Sequence, residues 1–403
     1  MPCWPARLPG RTHFEAKWIQ CCQSQWGLEY LEVVSRNLVL FSVLLLLGAP
    51  IFAQEDEFQA VARVVAVGDV HGDYDRFVSV LRTAGLLDKK KRWSGARTHL
   101  VQTGDILDRG PDSRKIMDLL MQLEKQAFKA GGRVHVLLGN HETMNLYGDL
   151  RYVSPGEYAA FATARSDEVR DAFYDSYIAL RSNGQEQSPD GAAVRQRWYE
   201  DHPLGWVEHR QAFGPSGKYG KWLREKNAVV RIDRILFAHG GLSPRYSSWS
   251  IRQINEKVRQ ELKDFSQLEK GVVTDAEGPL WFRGLARAPE GELSAHVDNL
   301  LQRYGVDHVV IAHTPTQAAI LPRFDGKVIL IDVGLAEVYG GPMACLIVEN
   351  GRLRALHERK LLDLPAAGGD LLAYLKAAAA AGPASAGLQA LIANGGRIEL
   401  RAE

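Results

Sequence analysis

Cysteine is scarce in the body of this chain. Of four, Cys3, Cys21 and Cys22 lie within the first 22 residues, and only Cys345 stands beyond them. That distribution excludes a disulfide framework and a cysteine-rich zinc site. An excess of charge is missing too: 49 Lys and Arg against 48 Asp and Glu leave a net charge of +1. Without a basic surplus the balance gives no sign of nucleic-acid binding, so any anionic substrate must be met by a local site. No tandem repeat is found. The apolar run Leu38–Leu47 is too short to span a bilayer comfortably.

That run, preceded by Arg36 and followed by Gly48-Ala49-Pro50-Ile51-Phe52-Ala53, has the length of the apolar core of a secretory signal. The expectation is a signal over about residues 33–53, cleavage near Ala53, and a periplasmic or secreted mature protein starting at Gln54. An uncleaved anchor is the alternative, and no stable span is expected after cleavage. The residues before it, rich in Trp, Cys and Arg, fit a start site placed too early, with initiation near Val33 or Val34 giving a compact signal. Residues 1–53 are therefore read as an extension plus signal.

The remainder is long enough, at 46% apolar residues over 403, for a sizeable core. Ala62–Val67 is a β-branched run that empties into Gly68-Asp69-Val70-His71-Gly72, followed by a helix from Tyr74 to Ala84. The order repeats with a strand at Thr98–Thr103, the loop Gly104-Asp105-Ile106-Leu107-Asp108-Arg109-Gly110, and a helix to about Lys129. The two glycines are read as what lets this loop turn sharply. A third strand, Arg133–Leu138, runs into Gly139-Asn140-His141-Glu142. Residues 150–226 are charged, aromatic and helix-prone, and are read as a helical insertion or cap. Strands resume at Val229–Ile232 and Arg234–Ala238, leading to His239-Gly240-Gly241-Leu242-Ser243-Pro244, then at Asp307–Ala312 before His313-Thr314-Pro315. This alternation predicts a layered α/β domain over residues 54–360 with sites at strand ends. The Ala-rich residues 361–403 are expected to be an appendage without chemistry.

Five polar clusters thus follow five apolar strands. Their metal-capable residues are Asp69, His71, Asp105, Asn140, His239 and His313. Oxygen donors mixed with imidazoles suit Mn, Fe or Zn better than Mg or Ca. Six donors exceed the needs of one catalytic ion with open positions. The economical arrangement is two ions sharing one carboxylate, about 3.5–4 Å apart, the clamp used in phosphoryl chemistry.

In order, these motifs resemble those of calcineurin-like metallophosphoesterases and, within them, phosphoprotein phosphatases of the PPP class. Tyr147–Val153, Ile331-Asp332-Val333-Gly334 and Tyr339-Gly340-Gly341 look most like the bacterial Shewanella-like branch. The resemblance implies a β-sandwich core flanked by helices. It implies that Asp69 and His71 hold one ion, that Asp105 bridges, and that Asn140, His239 and His313 hold the second. Arg109, with Asn140, would bind phosphate, and His141 would protonate the leaving oxygen with Asp108 orienting it. Arg283, in Leu280-Trp281-Phe282-Arg283-Gly284, matches as a second phosphate clamp. The Ser-Ala-Pro-Asn-Tyr loop of eukaryotic members is not found after His313, and the branch includes members that favour phosphotyrosine.

The expected function is hydrolysis of phosphomonoesters, on phosphorylated protein, peptide or a small phosphoester, by hydroxide held between two metal ions. Hydrolysis of nucleotides or dinucleoside polyphosphates is the alternative within enzymes. A non-catalytic binding protein would have lost ligands or the acid, yet Asp69, His71, Asp105, Asn140, His141 and His239 are all present.

Overall fold

The computed structural model describes residues 55–182 and 191–397; the expected signal segment lies outside them. Among the described residues the strands are β1 Glu57–Phe58, β2 Arg63–Val67, β3 His99–Gln102, β4 Arg133–Val136, β5 Val229–Ile232 and β6 Ile235–Ala238. They continue with β7 His308–Ile311, β8 Leu321–Arg323, β9 Val328–Leu330, β10 Ala344–Glu349, β11 Arg352–His357 and β12 Lys360–Asp363. Two six-stranded sheets result, in the orders β1-β5-β6-β7-β9-β8 and β12-β11-β10-β2-β3-β4. Both contribute to one continuous apolar core, in which Val65, Leu100, Leu236 and Val309 are fully buried. The expected α/β sandwich flanked by helices is what the chain adopts.

Parallel pairing gathers the clusters. β2, β3 and β4 run parallel, with Val67 paired to Gln102 and Gln102 to Val136. Such neighbours need a crossover, and helices α1 (Tyr74–Thr83) and α2 (Ser113–Lys129) supply it. Three strand ends in register then deliver Asp69, Asp105 and Asn140 side by side. In the other sheet β6 and β7 are parallel, with Phe237 opposite Val310, so His239 and His313 also emerge together. The Leu138 N–H donates to the Asn227 carbonyl at 2.9 Å, which ties the β4 end to the second sheet.

Helix α3 (Asn140–Tyr147) starts at the end of the third strand's loop and places Asn140 and His141 in its first turn. The insertion is helical as expected, with α4 Pro155–Ala159, α5 Ser166–Ser182, α6 Gly191–Asp201, α7 Trp206–Phe213 and α8 Lys218–Arg224. Tyr158, Trp206 and Val207 form a small core of its own. Helix α9, Ile251–Lys263, is held by a capping box between Ser250 and Gln253. Helices α10, Gly284–Arg287, and α11, Glu290–Tyr304, precede β7.

Two strands were not anticipated at the end of the second sheet. β12 pairs with β11, so the sheet runs past the expected boundary at residue 360. Helices α12 (Leu371–Ala379) and α13 (Ala386–Ala393) of the extension pack on the domain: Leu375 and Leu388 are fully buried, and the Tyr374 hydroxyl donates to the Ile320 carbonyl at 2.9 Å. Among the described residues no helix is long and apolar enough to cross a membrane.

Candidate metal centre and active site

Asp105 sits at the middle of the site, 2% exposed. Its Oδ2 lies 3.2 Å from His239 Nε2, 3.9 Å from His71 Nε2 and 3.8 Å from His141 Nε2. Two groups able to hold an ion share it: Asp105 with His239 and His313, and Asp105 with His71 and His141. The Asn140 side-chain carbonyl oxygen stands 3.1 Å from His239 Nε2, and His313 Nδ1 is also 3.1 Å from it. Asp69 reaches both sides, with Oδ2 3.9 Å from His71 Nε2 and Oδ1 3.8 Å from His239 Nδ1.

Each expected ligand histidine has one ring nitrogen anchored on a backbone carbonyl. His71 Nδ1 faces Leu107 O at 2.9 Å, His239 Nδ1 faces Thr103 O at 2.9 Å, and His313 Nε2 faces Trp281 O at 3.2 Å. This anchoring fixes the tautomer and turns the other nitrogen, lone pair outward, to the centre. Burial, with His141 nearby, pushes the His71 pKa down to about 3, and burial beside His239 and Arg283 holds His313 well below its ordinary value. Both are neutral, as metal ligands must be. Burial, Asp332 and Asp105 push the Asp69 carboxyl up, and burial pushes Asp332 up to about 6. Three crowded buried carboxylates around outward imidazole lone pairs form a donor set that fits two divalent ions.

His141 differs from these. Its Nδ1 bonds Asp108 Oδ2 at 2.5 Å rather than a carbonyl. Burial opposes its protonation, but the carboxylates of Asp105 and Asp108 outweigh burial and raise its pKa. With Nδ1 of His141 committed to Asp108, Asp69, which reaches both His71 and His239, fits the ligand set better than His141, despite the ring's 3.8 Å approach to Asp105.

The loop backbones are held in unusual conformations. His71, Asp105, Asp108, Arg109 and His313 all have positive φ, between 45° and 70°. A non-glycine residue there is strained by about 1–2 kcal/mol, and such strain concentrates at functional sites. Hydrogen bonds between loops hold it: Val70 and His71 N–H donate to the Asp105 carbonyl at 2.9 and 3.0 Å. Glu142, fully buried, accepts from Gly139, Asp105 and Ile106 N–H at 2.7, 2.8 and 2.9 Å. Only one of the two glycines bounding the loop is needed for its φ. Gly104 has φ +99°, whereas Gly110 is required because a Cβ there would stand 2.5 Å from the His71 carbonyl oxygen.

A small pocket opens over this centre, lined among others by His71, His141, Arg109, Arg283, Asp332 and Tyr339. The Arg109 guanidinium lies between two rings, 4.6 Å from Tyr152 and 5.6 Å from Tyr339. Arg283 donates to the His313 carbonyl at 2.6 Å and to Thr314 Oγ1 at 3.2 Å. All the expected site residues are thus gathered at one centre. Missed from the sequence were Asn145, whose amide donates to Asp108 Oδ1 at 2.9 Å, and the anchoring role of Glu142. Asn145 lies one helical turn after His141 on the same face, which is a signal the sequence does carry.

Residues 62–317 match the family model described as calcineurin-like phosphoesterase. The chain is 35% identical over 317 residues to an uncharacterised protein of Schizosaccharomyces pombe, covering 75% of this chain and 82% of that one. It is 30% identical over 299 residues to Shewanella-like protein phosphatase 2 of Arabidopsis thaliana, covering 70% and 74%. Among solved structures it is similar to the cold-active protein-tyrosine phosphatase of a psychrophilic Shewanella species, with a TM-score of 0.58, 29% identity, and coverage of 76% of this chain and 82% of that one.

Proposed function

This chain belongs to the calcineurin-like phosphoesterase family, and from that premise we propose that it is a phosphomonoesterase whose substrates are phosphoproteins or phosphopeptides, with phosphotyrosine preferred. The observation that carries this reading is the shared Asp105: two ion-holding groups meet on it, and Arg109 and His141 open onto the same pocket.

Asp69, His71 and Asp105 would hold one ion, and Asp105, Asn140, His239 and His313 the other. Such a pair supplies Lewis acidity toward phosphate oxygens and lowers the pKa of water toward neutrality, so no protein nucleophile is required. Arg109 presents a planar fork to the phosphate, with Arg283 also lining the pocket. His141 donates from Nε2 to the departing ester oxygen, while Asp108 holds the proton on Nδ1 and keeps the ring charged. Tyr152 and Tyr339 beside Arg109 offer an aromatic leaving group a surface to stack on. The activity for which the similar Shewanella enzyme is named points the same way.

Rates on a phosphotyrosine peptide, the matching phosphoserine peptide and a dinucleoside tetraphosphate test the reading. The phosphotyrosine peptide is expected to be the fastest. Faster hydrolysis of the dinucleotide than of either peptide overturns it. Export is carried in the same proposal: N-terminal sequencing of the secreted protein is expected to start near Gln54, and a mature terminus within the first 35 residues overturns it.

A further inference from the structure

The helical insertion is bound to the catalytic acid by a continuous line of hydrogen bonds. Arg210 of α7 is buried, and its Nη1 donates to the Asn145 carbonyl at 2.5 Å. Asn145 is fully buried in α3, and its Nδ2 donates to Asp108 Oδ1 at 2.9 Å and to the His141 carbonyl at 3.0 Å. Asp108 Oδ2 in turn holds His141 Nδ1 at 2.5 Å. The segment that leads into the insertion runs beside the same loop: Arg109 N–H donates to the Tyr152 carbonyl at 3.0 Å, and Ser154 Oγ to the Gly110 carbonyl at 3.1 Å.

We infer that Asn145 and Arg210 are positioning residues for the His141–Asp108 pair, and that through them the insertion braces the acid. The inference rests on His141 acting as the acid.

Chemistry fixes the direction of each link. Asp108 and the His141 carbonyl only accept, so the Asn145 amide nitrogen must face both, and a carboxylate at 145 would confront Asp108 with like charge. Asp108 has positive φ, +70°, so its carboxylate is presented by a strained loop. Asn145 pins the oxygen that His141 does not use, which leaves the other one aimed at Nδ1. Arg210 places its cation on a carbonyl in the last turn of α3, where the helix dipole favours positive charge. The α7 helix that carries it is itself fixed by aromatic packing, with the His209 ring 5.0 Å from Phe161 and 5.3 Å from Tyr158.

A leaving group that departs readily as an anion needs no proton, whereas a poor one does. The readout is therefore the ratio of kcat for 2,4-dinitrophenyl phosphate to kcat for phenyl phosphate, measured on the metal-loaded full chain. For Asn145→Ala and Arg210→Met the ratio is expected to rise about 10- to 100-fold, because phenyl phosphate suffers selectively. His141→Ala is expected to raise it further, and Arg210→Lys to return it toward the wild-type value. Should a truncating variant fail to fold, Asn145→Ser, which keeps a polar side chain but loses the reach to Asp108, and Arg210→Lys carry the same comparison, with a rise expected for the first. Equal falls on both substrates, with the ratio unchanged, overturn the inference and leave these residues merely structural. A ratio unchanged in His141→Ala overturns the acid role, and this inference with it.

Discussion

Gly139→Ala is a small change that makes a large demand on the centre of the site. Gly139 has φ −100°, a conformation open to alanine, so no backbone strain enters. The added Cβ, however, would stand 2.1 Å from Asp105 Oδ1 and 2.6 Å from Asp105 N. Carbon and its neighbours pack at about 3.5–4 Å, so the loop bearing Asp105 must retreat by roughly 1 Å. The amide nitrogen in that contact rules out relief by side-chain rotation alone. Overpacking of this kind destabilises by about 1–3 kcal/mol, which a domain of this size survives. Ligand geometry is less forgiving: distances to a metal are held within about 0.2 Å, and a 1 Å misplacement of reacting groups lowers rates about 100-fold. Calorimetric titration of the chelator-stripped variant with Mn²⁺ should show affinity reduced about 10- to 100-fold, with kcat on phenyl phosphate about 100-fold down. Gly85→Ala is the control. Gly85 has φ +76°, and a Cβ added there would meet nothing within 4 Å, so strain of about 1–2 kcal/mol appears in urea unfolding while metal affinity is unchanged. A Gly139→Ala protein that binds Mn²⁺ and turns over like the wild type would refute the reasoning.

Two further outcomes follow from the same geometry. Asp108→Asn removes a carboxylate that raises the His141 pKa, so the folded-state value falls; His141 must be protonated to act, and the alkaline limb of kcat moves to lower pH. A limb that stays in place in the pH profile would separate it from His141. Arg109→Lys keeps the charge but loses the fork held between Tyr152 and Tyr339, and KM for phenyl phosphate should rise about 10- to 100-fold in steady-state kinetics; an unchanged KM would remove Arg109 from phosphate binding.

The strand-end clusters were legible in the sequence because a β-branched run followed by Gly-Asp or Gly-Asn is a local pattern, and parallel register does the rest. Asp69, Asp105 and Asn140 needed only the pairing of three short strands to meet. What was not legible depends on contacts between distant segments. Nothing near Arg210 in sequence announces that it reaches Asn145, and the triple acceptance by Glu142 exists only once two loops are adjacent. Its position in the loop makes Gly110 look like a turn former. Its true constraint, the approach of the His71 carbonyl and Gly72, belongs to a segment 38 residues away. β11 carries no clear strand signal in the sequence, because Arg352-Leu353-Arg354 places charge at its start, although its far end, Ala355–His357, is buried.

The central claim is a two-ion site bridged by Asp105, and counting the ions against activity tests it most directly. The full chain is stripped with a chelator, then titrated with Mn²⁺ while bound metal is measured by mass spectrometry and turnover is followed on phenyl phosphate. The account predicts loss of activity on stripping, recovery that saturates at two equivalents per chain, and an Asp105→Asn protein that binds fewer than two and recovers no activity. Full turnover by the stripped protein, or recovery complete at one equivalent with Asp105→Asn still active, would contradict it.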